Sequence, residues 1–371
     1  MATGFLFHER YMWHDPGSAI LVVPCEGVHQ PMPSAETAEG KRRIRNLVEA
    51  SGLSDHLVPL KPRLIAEADL LRFHTQDYLD YLKQIDKTGG VAGESVQFSA
   101  GGYEIARLST GGVLSAMEAV LSGNVENAYA LVRPPGHHAE RDRARGFCLL
   151  ANISVAIMAA QATLGVGRVA VVDWDVHHGN GTEQAFYDSA DVLTISIHQD
   201  GNYPAETGGH DARGTGAGEG YNLNIPLPAG SGIGAYKAAF ERAVLPALDA
   251  FAPDLIVIAA GFDANGFDPL ARQLLDSETY RWMTARLMER AADLCMGRLL
   301  AVHEGGYSEA YVPYCAMAML EEMSGHRTEL KDPLQEVVAA WPGQDLQPHQ
   351  QEAIERAIAG HPALRERQAA Q

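Results

Sequence analysis

Cysteine is scarce and scattered: Cys25, Cys148, Cys295 and Cys315 are the only four in 371 residues, and no two form a C-x-x-C pair. That spacing excludes a zinc ribbon and a dense disulfide framework, so reduced thiols are expected. No stretch reaches about 18 uninterrupted apolar residues, the length a membrane-spanning helix needs. The first eleven residues carry His8, Glu9 and Arg10 and lack the basic segment followed by an apolar run of a secretory signal. A cytoplasmic location is the resulting expectation. Basic charge is in deficit, with 29 Lys and Arg against 47 Asp and Glu, a net charge of -18. Such a field disfavours phosphate backbones and anionic membranes and attracts cations, so neither nucleic acid nor membrane is an expected partner. It serves equally to keep a protein in solution. Internal repeats and low-complexity tracts are also absent.

What is present is an ordinary globular composition, 46% hydrophobic and 20% charged, enough for a sizeable core. The length allows two domains, but α/β chains built on one large sheet reach it too, and a single domain over residues 1–371 is expected. Apolar, β-rich runs recur at Ala128 to Val132, Arg168 to Val172, Val192 to Ile197, Leu255 to Ala259 and Leu299 to Val302. Amphipathic helical segments lie between them, at Gly111 to Leu121, Ile153 to Leu164, Ala235 to Phe251 and Ser277 to Met296. The alternation predicts an α/β fold with a largely parallel sheet flanked by helices. Gly201 to Gly220 is glycine-rich without periodicity and reads as a long functional loop. Residues 325–371 are polar, with prolines and a helical stretch near Gln350 to Ile358, and read as a helical tail.

Four of the runs are followed at once by polar motifs: Arg133 to His138 (RPPGHH), Asp173 to Gly181 (DWDVHHGNG), Gly261-Phe262-Asp263, and Glu304-Gly305-Gly306-Tyr307. Ligands of open parallel sheets bind beyond the carboxyl ends of the strands, so four such ends predict one active site. Strand alternation places Asp173, Asp175 and His177 on one side of the chain. Asp175 and His177, with Asp263 from another strand end, offer two carboxylates and one imidazole, leaving a fourth position for water as a catalytic zinc site requires. A single such motif would more often be a helix cap and a hydrogen-bonded core histidine; four together favour the metal. His137 and His138 follow a stiff Pro-Pro-Gly turn. Imidazole titrates at about 6.5 and suits proton transfer near neutrality, one ring taking the proton of water and the other holding that water. Each ring needs an orienting acceptor on its far nitrogen. Tyr307, after two glycines, is placed to aim a phenol at a developing oxyanion.

These residues resemble the arginase and deacetylase superfamily, and within it the class II histone deacetylases with the bacterial deacetylase-like amidohydrolases. The likeness spans Phe73 to Tyr311 and also includes Gly146-Phe147-Cys148, Ser196-Ile197-His198 and Ala264. It implies zinc-dependent hydrolysis of an acyl amide by a single-domain arginase/deacetylase-type fold. One catalytic Zn2+ would be held by Asp175, His177 and Asp263, with His137 and His138 as tandem histidines. Asp173 would orient His137, and Asn180 stands behind His138 where class I members carry a second aspartate. Tyr307 matches the oxyanion-stabilising tyrosine. The resemblance further implies structural K+ or Na+ at Asp173, Asp175, His177, Ser196 and Ile197, and at Phe186, Ser189, Val192 and Tyr221. Substrate-binding positions are Gly146, Phe147, Tyr203, Leu270 and Gly305. Phe147 and Tyr203 would wall the acyl-lysine tunnel; Tyr203 stands where phenylalanine is usual and would add polarity. Expected partners are an acylated lysine, a polyamine or a small amide, hydroxamate-type inhibitors, and further copies of the chain in a homo-oligomer.

Three alternatives compete. A hydrolase of acetylated polyamines or small foreign amides would share all the metal chemistry and differ at the tunnel rim. In the resemblance, polyamine-selective relatives place a glutamate where this chain has Leu270. A two-manganese ureohydrolase would need further carboxylates, typically D-x-D, whereas Asp263 is followed by Ala264 and Asn265. A non-enzymatic acyl-group sensor would be expected to have lost a ligand, a histidine or Tyr307, and all are present.

Overall fold

The structure, a computed structural model, describes residues 2–24, 30–361 and 364. An eight-stranded sheet runs through it, formed by β1 (Thr3–Leu6), β2 (Leu57–Leu60), β3 (Asn127–Ala130), β4 (Val169–Asp173), β5 (Val192–Gln199), β6 (Asn222–Leu227), β7 (Leu255–Ala260) and β8 (Leu299–His303). The spatial order is β6-β5-β4-β7-β8-β3-β1-β2, and every pairing is parallel. The principal helices are α1 (Glu39–Ala50), α2 (Gly102–Leu121), α3 (Asn152–Thr163), α4 (Asn180–Phe186), α5 (Ser277–Cys295), α6 (Val312–Ser324) and α7 (Pro348–Gly360).

The central strands read as unbroken apolar runs because both faces of the sheet are covered. Ala170 and Val172 of β4 point into one core, where Ile44 of α1, Met283 and Leu287 of α5, Leu320 of α6 and Ile354 of α7 meet them. Val169 and Val171 point into the other, filled from α2 and α3 by residues such as Leu114, Met117, Ile153 and Ile157. Cys148, Cys295 and Cys315 are free and buried, while Cys25 lies outside the described residues. Among the described residues no helix is long and apolar enough to cross a membrane.

Two elements depart from expectation. Helix α2 begins at Gly102, well before the predicted Gly111. Gly111 and Gly112 look like a break but are contact points: a Cβ on Gly111 would lie 1.9 Å from the Arg63 carbonyl oxygen, so the helix can run past that loop only without a side chain. The predicted helix over Ala235 to Phe251 runs from Ile233 and contains a π-helical turn at Phe240–Val244. In the tail, α7 lies against β6, with Ile354, Ala357 and Ile358 buried.

Candidate active site

The chain passes from β4 outward to β5 and β6, then returns to lay β7 on the other flank of β4. The gap between β4 and β7 is therefore a switch point, where divergent connections leave a crevice at the carboxyl ends. Asp175 and His177 follow β4, and Asp263 follows β7. Regular strand ends at Asp173, yet alternation persists: Trp174 and Val176 enter the core while Asp175 and His177 face the crevice.

His177 Nδ1 lies 3.2 Å from Asp175 Oδ1 and 3.2 Å from Asp263 Oδ2. One ligand atom from each of the three side chains falls within 4.8 Å of the others. Backbone donors aim the carboxylates: Gly305 N–H donates to Asp175 Oδ2 at 2.8 Å and Val176 N–H to Asp263 Oδ1 at 2.7 Å. Burial and the neighbouring Asp175 push the Asp263 carboxyl up to about 6. Burial alone would lower His177, but its contacts with Asp175 and Asp263 outweigh it and raise the imidazole to about 10. Two sealed carboxylates thus compete for one imidazole proton. A divalent cation answers that surplus of negative charge, and an N,O,O donor set of this kind suits zinc.

The tandem histidines sit beside this cluster, their ring centroids 3.9 Å apart. His137 Nδ1 is 3.0 Å from Asp173 Oδ2, and His138 Nδ1 is 2.8 Å from Asn180 Oδ1. Burial would lower His137, but the Asp175 and Asp173 carboxylates outweigh it and hold the imidazole well above its ordinary value. Burial, with the imidazoles of His137 and His177, holds His138 well below it. Environments that drive two adjacent titrating groups apart are what paired acid and base roles require.

A cavity of about 250 Å³ opens onto the cluster, lined by His138, His177 and Tyr307 together with Gly146, Phe147, Tyr203 and Leu270. The Phe147 and Tyr307 ring centroids are 5.6 Å apart, and Tyr203 stands edge-on to His138 at 5.1 Å. Gly146 is at φ +52°, and a Cβ there would lie 2.3 Å from His138 Cδ2, so only glycine lets this wall close on the histidine. Burial, reinforced by Asp263 and Asp175, pushes the Tyr307 phenol well above its usual range, which keeps it a hydrogen-bond donor.

The Tyr203 hydroxyl oxygen is buried, and the Arg145 guanidinium lies 5.5 Å from the ring centroid. Gly305 lies beneath the carboxylates and donates its N–H to Asp175. Ser196 sits beside Asp173 in the register of β4 and β5, with its hydroxyl 2.9 Å from His198 Nδ1. Phe186, Ser189, Val192 and Tyr221 gather where α4 ends and β5 and β6 begin.

Sequence reasoning missed several participants. Val22, Ser95 and Asn202 complete the cavity lining from three separate loops. Asp268 accepts from Tyr307 N–H and from Leu270 N–H, each at 2.8 Å, and so ties the tyrosine loop to the rim. Glu304 accepts from the backbone N–H groups of Gly136 (2.7 Å) and His137 (3.1 Å), bracing the tandem-histidine turn. Its place directly after a strand was a signal; Asp268, in an Asp-Pro turn, offered none.

Residues 35–323 match the family described as the histone deacetylase domain. A histone deacetylase-like amidohydrolase of Pseudomonas aeruginosa is 48% identical over 340 residues, covering 91% of this chain and 90% of its own. Histone deacetylase 8 of Arabidopsis thaliana is 38% identical over 294 residues, covering 77% and 78%. The crystal structure of the HDA15 HD domain superposes with a TM-score of 0.83 at 30% identity, covering 99% of both chains.

Proposed function

This chain belongs to the histone deacetylase family, and from that premise we propose that it hydrolyses acetyl-lysine or a related small acyl amide with one zinc ion held by Asp175, His177 and Asp263. The observation that carries the reading is convergence: two carboxylates and an imidazole meet at a cavity that His138 and Tyr307 also line. When bound there, zinc lowers the pKa of a water and polarises the amide carbonyl. The water oxygen adds to the carbonyl carbon, the C–N bond breaks, and a carboxylate and an amine leave. His138 takes the water proton at Nε2 and delivers it to the departing nitrogen. His137, held through Nδ1 by Asp173, donates from its other nitrogen and fixes the water. Tyr307 donates its O–H to the carbonyl oxygen as negative charge develops. The rings of Phe147 and Tyr203 enclose the alkyl stem of the substrate and exclude bulk water. Structural K+ or Na+ beside Asp173 and Ser196, and near Phe186 and Tyr221, belongs to the same reading. Leu270 supplies no carboxylate at the cavity for a distant ammonium, which favours acyl-lysine or neutral amides over acetylated polyamines.

The test is metal content and turnover measured together. Asp175→Ala and His177→Ala should each lose both bound zinc and hydrolysis, because the two remaining ligands cannot hold the ion in an open site. A hydroxamate, by chelating that ion, should inhibit the wild type. Stoichiometric zinc in both variants, or full activity under saturating hydroxamate, would sink the assignment.

A further inference from the structure

His138 can act as a base only if its cavity-facing Nε2 carries a lone pair, which requires the hydrogen to sit on Nδ1. Asn180 is its partner there, and an amide side chain decides nothing by itself. One end of the amide accepts and the other donates, and a half-turn exchanges them. With oxygen toward His138 the imidazole is Nδ1–H; with nitrogen toward it, the lone pair moves to Nδ1 and the base is lost. Something must fix the amide.

Glu140 is the group in position to do so. It is buried, two residues beyond His138, and its Oε1 lies 2.8 Å from Asn180 Nδ2. Arg143 donates to both of its oxygens, at 2.8 and 3.0 Å, and Arg145 approaches Oε1 at 3.3 Å. A carboxylate held by two guanidinium groups can only accept. The Asn180 end facing it must therefore be the NH2, and the end facing His138 must be oxygen. The His138 carbonyl, 3.4 Å from Asn180 Nδ2, is a longer contact that favours the same orientation.

Resting on the reading of His138 as the base, we infer that Glu140 is a positioning residue for catalysis: by fixing the Asn180 amide, it sets the tautomer of His138. It touches neither substrate nor metal ligand and acts through the chain Glu140–Asn180–His138. The competing account is that Glu140 merely neutralises Arg143 and Arg145, in which case its loss costs stability and leaves the tautomer alone.

The experiment labels histidine with 15N in the zinc-loaded enzyme and identifies the His138 ring signals as those missing from His138→Ala. In the wild type Nδ1 should read as N–H and Nε2 as unprotonated. In Glu140→Ala part of the population should move to Nε2–H, with kcat lowered about tenfold or more and KM changed less than about twofold. Adding Asn180→Asp to Glu140→Ala should restore both the tautomer and most of kcat, because a carboxylate accepts from Nδ1–H in any orientation. A loss that was only structural gains nothing from that second change. Should the alanine variant not fold, Glu140→Leu fills the space without an acceptor and is read the same way. An unaltered His138 tautomer in the Glu140 variant overturns the inference whatever happens to kcat. The tautomer is read without substrate, so a wild type inactive on acyl amides would fault the proposed reaction separately.

Discussion

Leu270 shows how much one side chain at the rim can decide. Its backbone is pinned on both sides, N–H to Asp268 Oδ1 at 2.8 Å and carbonyl to Asn202 Nδ2 at 3.2 Å, so its side chain can be changed without freeing the loop. The overall charge of -18 draws polyamines to the whole surface, but a field screened within about 8 Å at physiological salt discriminates less than a carboxylate placed in contact. Leu270→Glu should therefore move the ratio of kcat/KM for N-acetylated polyamines over acetyl-lysine peptides upward by about tenfold, equivalent to about 1.4 kcal/mol. The idea fails if glutamate leaves the ratio unmoved, or if the wild type already prefers polyamines. At this scale the site was legible where chemistry and spacing coincide. His137, His138, Asp175, His177 and Asp263 are residue types that bind metals and move protons, set in short motifs. Glu140 and Asp268 were not legible, because accepting a buried N–H leaves no pattern in the sequence. Val22, Ser95 and Asn202 reach the cavity only because separate loops converge there.

Helix α4 carries Asn180 and must seat its first turn directly on the tandem-histidine loop. The N–H groups of Gly181 and Thr182 both donate to the His137 carbonyl, at 3.0 and 3.2 Å. A Cβ on Gly181 would stand 2.3 Å from the Ala139 oxygen and 2.8 Å from the His138 carbonyl carbon, and backbone cannot swing aside as a side chain would. Gly181→Ala should lift α4 off the loop, costing about 1–3 kcal/mol, read as a lower urea midpoint, with kcat reduced as Asn180 moves from His138. Gly209→Ala, with nothing within 4 Å of its Cβ, is the control and should change neither. Equal midpoints and turnover in the two variants would show that α4 tolerates displacement. The elements that were legible are those whose apolar runs are unbroken, β4, β5, β7 and β8 above all. Strands β2 and β6 escaped notice because each contains a proline, Pro59 and Pro226, and both lie at the sheet edges, where a missing N–H is tolerated. Strand β1 is interior but only four residues long, and its Gly4 leaves room for Leu60, since a Cβ would lie 2.6 Å from Leu60 Cδ1.

For the molecule as a whole, several histidines are buried without charge. Burial, joined by the nearby Arg133, lowers His14 to about 3; burial also lowers His74 and His361 to about 4 each. His74 shows why the charge is resisted: its Nε2 accepts from the Ala151 N–H at 3.0 Å, and a proton there would abolish that bond. Because the folded values lie below the ordinary 6.5, the unfolded chain takes up protons first as pH falls, and stability declines from about 6.5 downward. Burial would raise Glu36, but Arg133 and Lys41 outweigh it and hold the carboxyl at about 2, extending the decline from about 4.5 downward with the same sign. His177, raised to about 10, works in the opposite sense, but its stabilisation is lost only as pH rises toward that value, so it does not mask the acid limb. The lowered histidines should therefore reduce the unfolding free energy between pH 6.5 and 4.5, while the raised carboxyls of Asp263, Glu304 and Asp268, at about 6, 7 and 8, work in the opposite sense across that window. His74→Gln, which offers one acceptor and one donor without titrating, should reduce that slope by about 1.4 kcal/mol per pH unit. Urea unfolding at a series of pH values, with the same chelator present throughout because metal binding itself releases protons, measures both slopes. Parallel curves for wild type and His74→Gln down to pH 4.5 would place the acid sensitivity elsewhere in the molecule.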